Sequence, residues 1–181
     1  GYDANGNRTS LRKRDGRVIT YTYDALNRMT SKIIPDGGGL PASATRDVYY
    51  GYDLRGLQLY ARFDSPTGEG VTNSWDGLGR LAASSVNMGG VTRTISSWRW
   101  EDGARSRMTY PDGQFVSYAR DGLSRMVSAN LNDMMWLFQP QYDAQGRTAV
   151  VNRMNGSTWA SPTTYGYDGL SRLTSLTHDP A

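Results

Sequence analysis

The sequence predicts an all-β protein: an antiparallel meander of repeated β-hairpins that forms a curved or spiral strip of sheet. Three observations lead to this prediction. An aromatic–Asp pair recurs about every 24 residues, a second kind of turn signal falls between the copies, and the segments between turns alternate in polarity as strands do. We expect an array of about eight repeats over residues 1–181, with about sixteen strands.

The repeated motif is an aromatic residue, an Asp, a short turn and an Arg. Trp75 takes the aromatic place in one copy, Leu57 stands where another copy should have its Arg, and the copy around Asp102 is distorted, with Arg107 as its Arg. Because so many copies agree, we treat the motif as structural. Its residues are Tyr2, Asp3, Arg8, Tyr23, Asp24, Arg28, Tyr52, Asp53, Trp75, Asp76, Arg80, Asp102, Arg107, Asp121, Arg125, Tyr142, Asp143, Arg147, Tyr167, Asp168 and Arg172.

A second set of turn signals separates these copies. Residues 14–16, 35–37 and 111–113 contain Asp-Gly, twice after Pro, and looser forms occur at 87–89 and 155–156. Asp stabilises such a turn by hydrogen bonding, and Gly accepts the positive φ that it requires. Each repeat therefore contains two turns and two extended segments.

The segments between the turns have the pattern of strands. In residues 17–23, Ile19, Tyr21 and Tyr23 fall on one face, and residues 28–34 form a return strand rich in β-branched side chains. Residues 164–167 and 171–176 repeat this plan, and no segment has the 3.6-residue period of a helix.

The Asp and the Arg of the motif each suit a structural role. The Asp carboxylate can accept backbone N–H bonds one to three residues on. The Arg opens the return strand across from the Tyr that closes the outgoing one. We expect it to lie on that ring or to pair with the Asp.

The composition argues against several classes of function. The chain has no Cys and a single His, His178, which we expect to be a solvated residue near the end of the chain. Neither a Ser-His-Asp triad nor a zinc site can therefore be assembled in the usual way from this sequence. We expect no catalytic residue, metal or cofactor. Only Lys13 and Lys32 among the 20 basic residues are lysine, and the arginines recur with the repeat, so we expect no nucleic-acid partner. No apolar run is long enough to predict a membrane span.

A carbohydrate- or cell-surface-binding module is the alternative function. Exposed rings beside Arg and Asp can bind sugars or peptides, and the residues in question are Trp75, Trp98, Trp100, Trp136 and Trp159. Packing between neighbouring hairpins is the competing interpretation of these residues. A calcium-binding solenoid is rejected, because its ligand loops recur about every 9 residues.

Two further features concern partners. Hairpins with half-apolar faces need neighbours, so a block of them leaves open strand edges that favour self-association. The most apolar run, Met134 to Phe138, is interpreted either as a strand facing the interior of a shell or as a patch that contacts cargo.

The pattern Tyr-x-Tyr-Asp-x-x-x-Arg-Met/Leu-Thr, at residues 21–30 and 165–174, resembles the YD repeat of the Rhs/YD-repeat family. The resemblance implies a strip of β-sheet that winds into a hollow shell, as in bacterial Rhs polymorphic toxins, toxin-complex cocoons and teneurins. In the bacterial members the shell encloses a C-terminal toxin. The resemblance thus implies a secreted or cell-surface bacterial protein whose partners are the rest of its own parent chain and an enclosed toxin domain. Residues 179–181 bear only a slight resemblance to the family's closing segment, which is rich in Gly, Asn and Pro. Because the sequence opens within a copy of the motif, we expect it to be a piece of a longer shell.

Overall fold

The computed structural model describes residues 1–36, 39–155 and 158–178, and it confirms the predicted all-β antiparallel meander. A 3-10 turn at Ala42–Ala44 is the one helical element among these residues. The strands are β1 (Ser10–Arg12), β2 (Val18–Tyr23), β3 (Met29–Ile33), β4 (Val48–Tyr52), β5 (Gln58–Phe63), β6 (Gly70–Trp75), β7 (Leu81–Met88), β8 (Val91–Arg99), β9 (Arg105–Thr109), β10 (Phe115–Arg120), β11 (Met126–Leu131), β12 (Met135–Tyr142), β13 (Thr148–Asn155), β14 (Thr158–Tyr167) and β15 (Leu173–His178).

The strands are neighbours in the order in which they occur in the chain, from β1 to β15. The described residues thus hold fifteen strands against the expected sixteen. The first copy of the motif accounts for the difference, because its outgoing segment is reduced to an isolated bridge between Tyr2 and Arg8. The chain divides into two compact units, Gly1–Ile95 and the residues from Ser96 onward.

Few side chains of the described residues are buried. The buried apolar residues are Ile19 in the first unit and Val116, Ala129 and Val151 in the second. Several buried positions are small and polar, including Ser31, and many large apolar side chains stay exposed. This thin core agrees with the mean hydropathy of −0.60. Cross-strand contacts and turns, rather than a thick interior, must therefore hold the hairpins together.

The apolar run at 134–138 belongs to the hairpin of β11 and β12. Met134 ends its turn and is 82% exposed, and Trp136 is 43% exposed on β12. Asn132 and Asp133 in the turn have positive φ. The run is thus a strand with an accessible tryptophan, and its contact with cargo stays a prediction.

Three sequence predictions fall partly or wholly outside the described residues: the turn at 35–37, the turn at 155–156 and the closing residues 179–181. The looser turn signal at 87–89 marks the β7–β8 hairpin, in which Gly89 and Gly90 both have positive φ. Self-association through open strand edges also stays a prediction.

Candidate functional site: the turns that join neighbouring hairpins

Ten turns of the described chain share one backbone conformation. In the turn that begins at Asp24, the Asp24 N–H donates to the Arg28 carbonyl (2.9 Å) and the Asn27 N–H donates to the Asp24 carbonyl (3.0 Å). The fourth residue of each turn has positive φ, which favours Gly, although Asn27, Ser124 and Ser171 occupy it in three turns. The turns begin at Asp3, Lys13, Asp24, Asp53, Asp76, Trp100, Tyr110, Asp121, Asp143 and Asp168.

Seven of these turns begin with Asp, and we call them YD turns. In the Asp24 turn, Oδ1 accepts from the Leu26 and Arg28 amides (2.9 and 3.0 Å), while Oδ2 accepts from the Arg28 Nε (2.7 Å). The carboxylate thereby accepts hydrogen bonds from two amides that the turn leaves without a backbone acceptor. The side chain of the Arg donates to the other oxygen of the same carboxylate. In five of the YD turns the aromatic residue before the Asp follows a register shift in the ladder, as between Thr22 and Tyr23. The same set of bonds joins Asp76 to Arg80, Asp121 to Arg125, Asp143 to Arg147 and Asp168 to Arg172.

These contacts favour the charged form of the Asp. The hydrogen bond from the Arg28 side chain, followed by the backbone bond from the same residue, holds the pKa of Asp24 below its ordinary value of 3.8. Burial is the largest effect on Asp53 and Asp143 and raises the pKa, but the hydrogen bonds together outweigh it. The pKa is therefore lowered at all seven YD-turn carboxyls: Asp3, Asp24, Asp53, Asp76, Asp121, Asp143 and Asp168.

The Arg of one hairpin also contacts the next hairpin. The Arg28 guanidinium carbon lies 4.8 Å from the centroid of the Tyr52 ring, and Nη1 donates to the Asp53 carbonyl (3.0 Å). In return, the Tyr52 hydroxyl donates to the Met29 carbonyl (3.0 Å). Of the two roles expected for the Arg, pairing with the Asp is found, whereas the ring that it contacts belongs to the following YD turn and not to its own hairpin. The hydrogen bonds of the Asp lie within its own turn, whereas the Arg and the Tyr together join one repeat to the next.

The same link recurs in the second unit. Arg125 lies 4.4 Å from the Tyr142 ring centroid and Arg147 lies 4.6 Å from that of Tyr167. The Tyr142 and Tyr167 hydroxyls donate to the carbonyls of Met126 (2.8 Å) and Thr148 (2.9 Å). In every case the acceptor is the residue after the Arg.

Two copies keep the hydrogen bond of the link although the residue before the acceptor, Asn7 or Leu57, is not Arg. Trp75 donates its indole Nε1 to the Gln58 carbonyl (3.0 Å), so an N–H replaces the Tyr hydroxyl. Tyr23 donates its hydroxyl to the Arg8 carbonyl (3.0 Å). Trp75 is thus part of the turn network, which leaves four tryptophans as candidates for binding.

Two copies of the motif differ from the prediction in the residue that donates to the Asp. Asn7, not Arg8, occupies the Arg position of the first turn, and its amide donates to Asp3 Oδ2 (2.9 Å). In the turn that begins at Asp53, Arg55 supplies the missing guanidinium, since its Nε donates to Asp53 Oδ2 (2.8 Å). Sequence reasoning missed Asn7 and Arg55. The sequence feature that could have identified both is a side chain able to donate a hydrogen bond, placed two or four residues after the Asp.

The copy assigned around Asp102 and Arg107 is not a YD turn. Trp100 begins this turn, and Asp102 is its third residue, with Oδ1 accepting the Ala104 amide (2.8 Å). Arg107 instead pairs with Asp133 (3.1 Å). The Asp15 and Asp112 turns have the same form as the Asp102 turn. The sequence carries the distinction, because none of the three has an aromatic residue directly before the Asp, as six of the seven YD turns do.

The remaining tryptophans lie exposed in the second unit. Trp98 and Trp100 line an open groove of about 730 Å³, and the Trp136 and Trp159 rings lie 6.4 Å apart. His178 is exposed, as expected, and it ends β15 with Nδ1 3.1 Å from Thr163 Oγ1. Over the described ranges, no group of three or more His, Asp or Glu side chains could hold a metal ion. Nor does that part of the chain contain a helix long and apolar enough to cross a membrane.

The fold and the turns define a class of protein: a β-hairpin repeat protein whose motif residues join each hairpin to its neighbour. The RHS repeat family model matches residues 2–38 and 142–181, near the two ends of the chain. Between them, the turns that begin at Asp53, Asp76 and Asp121 have the same geometry. Residues 2–38 and 142–181 thus match the RHS repeat, as the sequence motif predicted, and the turns between them share the geometry of the matched segments.

Solved structures agree with this assignment at the level of the fold. The chain is similar to part of the crystal structure of TcdB2-TccC3-Cdc42, with a TM-score of 0.64, 16% identity, and coverage of 90% of this chain and 9% of that one. It is also similar to part of TcdB2-TccC3 without its hypervariable C-terminal region, with a TM-score of 0.59, 14% identity, and coverage of 98% and 11%. The chain thus spans about a tenth of these proteins. No curated protein sequence matches it.

Proposed function

We propose that this chain is a non-catalytic wall segment of an Rhs/YD-repeat shell, and that the shell encloses a C-terminal toxin. One observation carries the proposal: the residues that define the motif bond to one another across neighbouring hairpins. Arg147, for example, binds Asp143 in its own turn and lies over Tyr167 in the next. Side chains engaged in this way build a wall of repeats.

The absence of catalysis is part of the proposal. Each YD-turn carboxylate is held by a side-chain donor and two backbone amides, as at Asp121, where Arg125 donates through Nε at 2.8 Å. A carboxylate held in its charged form by fixed donors is a poor general acid, because catalysis needs a pKa near the working pH. The turns therefore have an architectural role.

The enclosed toxin and the secreted location come from the family and from the fold shared with TcdB2-TccC3. The wall would exclude proteases and keep the cargo inactive until its release. A chain covering about a tenth of such proteins forms only part of a wall. The cargo would then lie elsewhere in the full-length gene product.

Protease protection of the full-length gene product tests the proposal. We expect its C-terminal cargo to survive a protease that digests the separately expressed cargo, and to become sensitive when Arg147→Ala and Tyr167→Phe are combined. Leu123→Ala is the matched control, because Leu123 also lies at a turn but is 74% exposed. Cargo that is digested equally fast inside the wild-type protein and alone would contradict the proposal.

A further inference from the structure

A row of side chains crosses one face of the second unit. Successive antiparallel partners lie opposite each other and project to the same side of a sheet. The register pairs Trp98 with Arg107, Arg107 with Ser117, Ser117 with Asn130, and Asn130 with Trp136. Five strands thus contribute one residue each, with a tryptophan at either end and polar residues between.

The row is open to solvent. Trp98 is 67% exposed and Trp136 is 43% exposed. The groove of about 730 Å³ extends from Trp98 and Trp100 over Ser117 and Asn130. Strands are spaced by about 4.8 Å, so the four steps between Trp98 and Trp136 span about 19 Å.

The turn network does not account for these residues. Trp75 is used by a turn, whereas the indole rings of Trp98 and Trp136 are 67% and 43% exposed and are therefore accessible to a ligand. The charge of Arg107, the one charged residue of the row, is balanced by Asp133, whose carboxylate lies 3.1 Å from the guanidinium. A highly charged ligand would find no unpaired opposite charge in this row.

We propose that this face binds a linear, uncharged polysaccharide, with pyranose rings stacked on Trp98 and Trp136. The C–H face of a pyranose is apolar and packs on a flat indole ring, while its hydroxyls need groups that donate and accept hydrogen bonds. Ser117 and Asn130 do both, and the pair of Arg107 and Asp133 offers a donor beside an acceptor. The strand spacing is close to the length of one sugar in an extended chain.

The geometry favours a polysaccharide over an unfolded polypeptide. β9, β10 and β11 are paired on both sides, so their backbone groups offer no free ladder to an added peptide strand. Recognition must therefore come from the side chains of this face, which are flat rings and short polar groups.

Calorimetric titration of the chain with cellohexaose, β-mannohexaose and xylohexaose tests the proposal. We expect at least one to bind, with Trp98→Ala and Trp136→Ala each weakening binding about tenfold, as loss of a central aromatic contact does. Trp98→Phe should retain most of the affinity, because it keeps a ring. Tyr2→Ala is the control: Tyr2 is an exposed aromatic in the first unit, and its loss should change nothing.

Three results would overturn the proposal: no binding of any of the three hexasaccharides at millimolar concentration, binding that neither tryptophan variant weakens, or preferential binding of another class through these tryptophans. A β-1,4-mannuronate hexasaccharide and reduced, carboxymethylated lactalbumin serve as the charged and unfolded-polypeptide probes. Circular dichroism of each variant establishes that the sheet is intact. None of these results depends on whether the chain encloses a toxin.

Discussion

The guanidinium of Arg147 lies 4.6 Å from the centroid of the Tyr167 ring, which belongs to the following hairpin. The same Arg donates through Nε to Asp143 in its own turn at 2.7 Å. One side chain therefore joins a local turn to the next repeat. Stability in such an array depends on these nearest-neighbour contacts, because each hairpin buries little apolar surface of its own.

Removing one hydroxyl should weaken the link measurably. Tyr167→Phe deletes the bond to the Thr148 carbonyl (2.9 Å) and leaves the ring in place. We expect a loss of about 0.5–1.5 kcal/mol in the free energy of unfolding, measured in urea. Tyr165→Phe is the control, since its hydroxyl makes no hydrogen bond within the described ranges. Equal effects of the two variants would contradict the role assigned to the hydroxyl.

Acid should unfold the chain through its turns. Because the pKa of the seven YD-turn carboxyls is lower in the folded state than the ordinary 3.8, their contribution to stability is present above pH 3.8 and is lost as the pH falls through the folded pKa. We expect the free energy of unfolding to fall steeply below about pH 4 and to change little between about pH 5 and 7.

The matched variant for the acid experiment is Asp121→Asn, which cannot titrate. The pH dependence of its unfolding free energy should report about one proton fewer taken up on acid unfolding than in the wild type. An unchanged proton uptake would show that the Asp121 carboxyl does not couple protonation to folding.

Two turns contain a residue that is poorly suited to its conformation. Ser124 and Ser171 have φ of 61° and 63°, in the left-handed region where most other turns have Gly. Ser124→Gly and Ser171→Gly should each stabilise the chain by about 0.5–1 kcal/mol, because the strain relieved exceeds the added entropy of the unfolded chain. Gly56→Ser, the reverse change at φ 87°, should destabilise it. Thermal denaturation measures all three, and a lower melting temperature for Ser124→Gly would contradict this account.

One glycine is required by packing rather than by φ. A Cβ on Gly51 would lie 2.1 Å from Cε1 of the Tyr60 ring, which covers the glycine on the neighbouring strand. Gly51→Ala should therefore cost about 1–3 kcal/mol in unfolding free energy. Gly122→Ala is the control, because no atom lies within 4 Å of a Cβ at that position. If both variants unfold at the same urea concentration, Tyr60 moves freely and this interpretation is wrong.

The sequence predicted the fold class and the anchors of the turns. It did so because period-two polarity and turn residues are local signals. The contact of Arg28 with Tyr52 could not be predicted, because the register between hairpins decides which ring the Arg reaches. Asp102 was misassigned for a related reason. An Asp-Gly pair occurs in both kinds of turn, and the residue directly before the Asp separates most of them, because it is aromatic in six of the seven YD turns.

The row from Trp98 to Trp136 was likewise beyond sequence reasoning. Its members are far apart in the chain, and one of the pairings, between Asn130 and Trp136, follows a register shift. A bulge reverses which side chains share a face, so alternation along β12 alone gives the wrong neighbours.

A double-mutant cycle between Arg147 and Tyr167 measures whether the motif couples one hairpin to the next. We expect Arg147→Ala and Tyr167→Leu to be non-additive in the free energy of unfolding, with a coupling of about 0.5–1 kcal/mol. The matching cycle between Arg147 and Tyr142, the aromatic residue of its own hairpin, should be additive. Additivity between Arg147 and Tyr167, with coupling found instead to Tyr142, would contradict the conclusion that the motif joins neighbouring repeats.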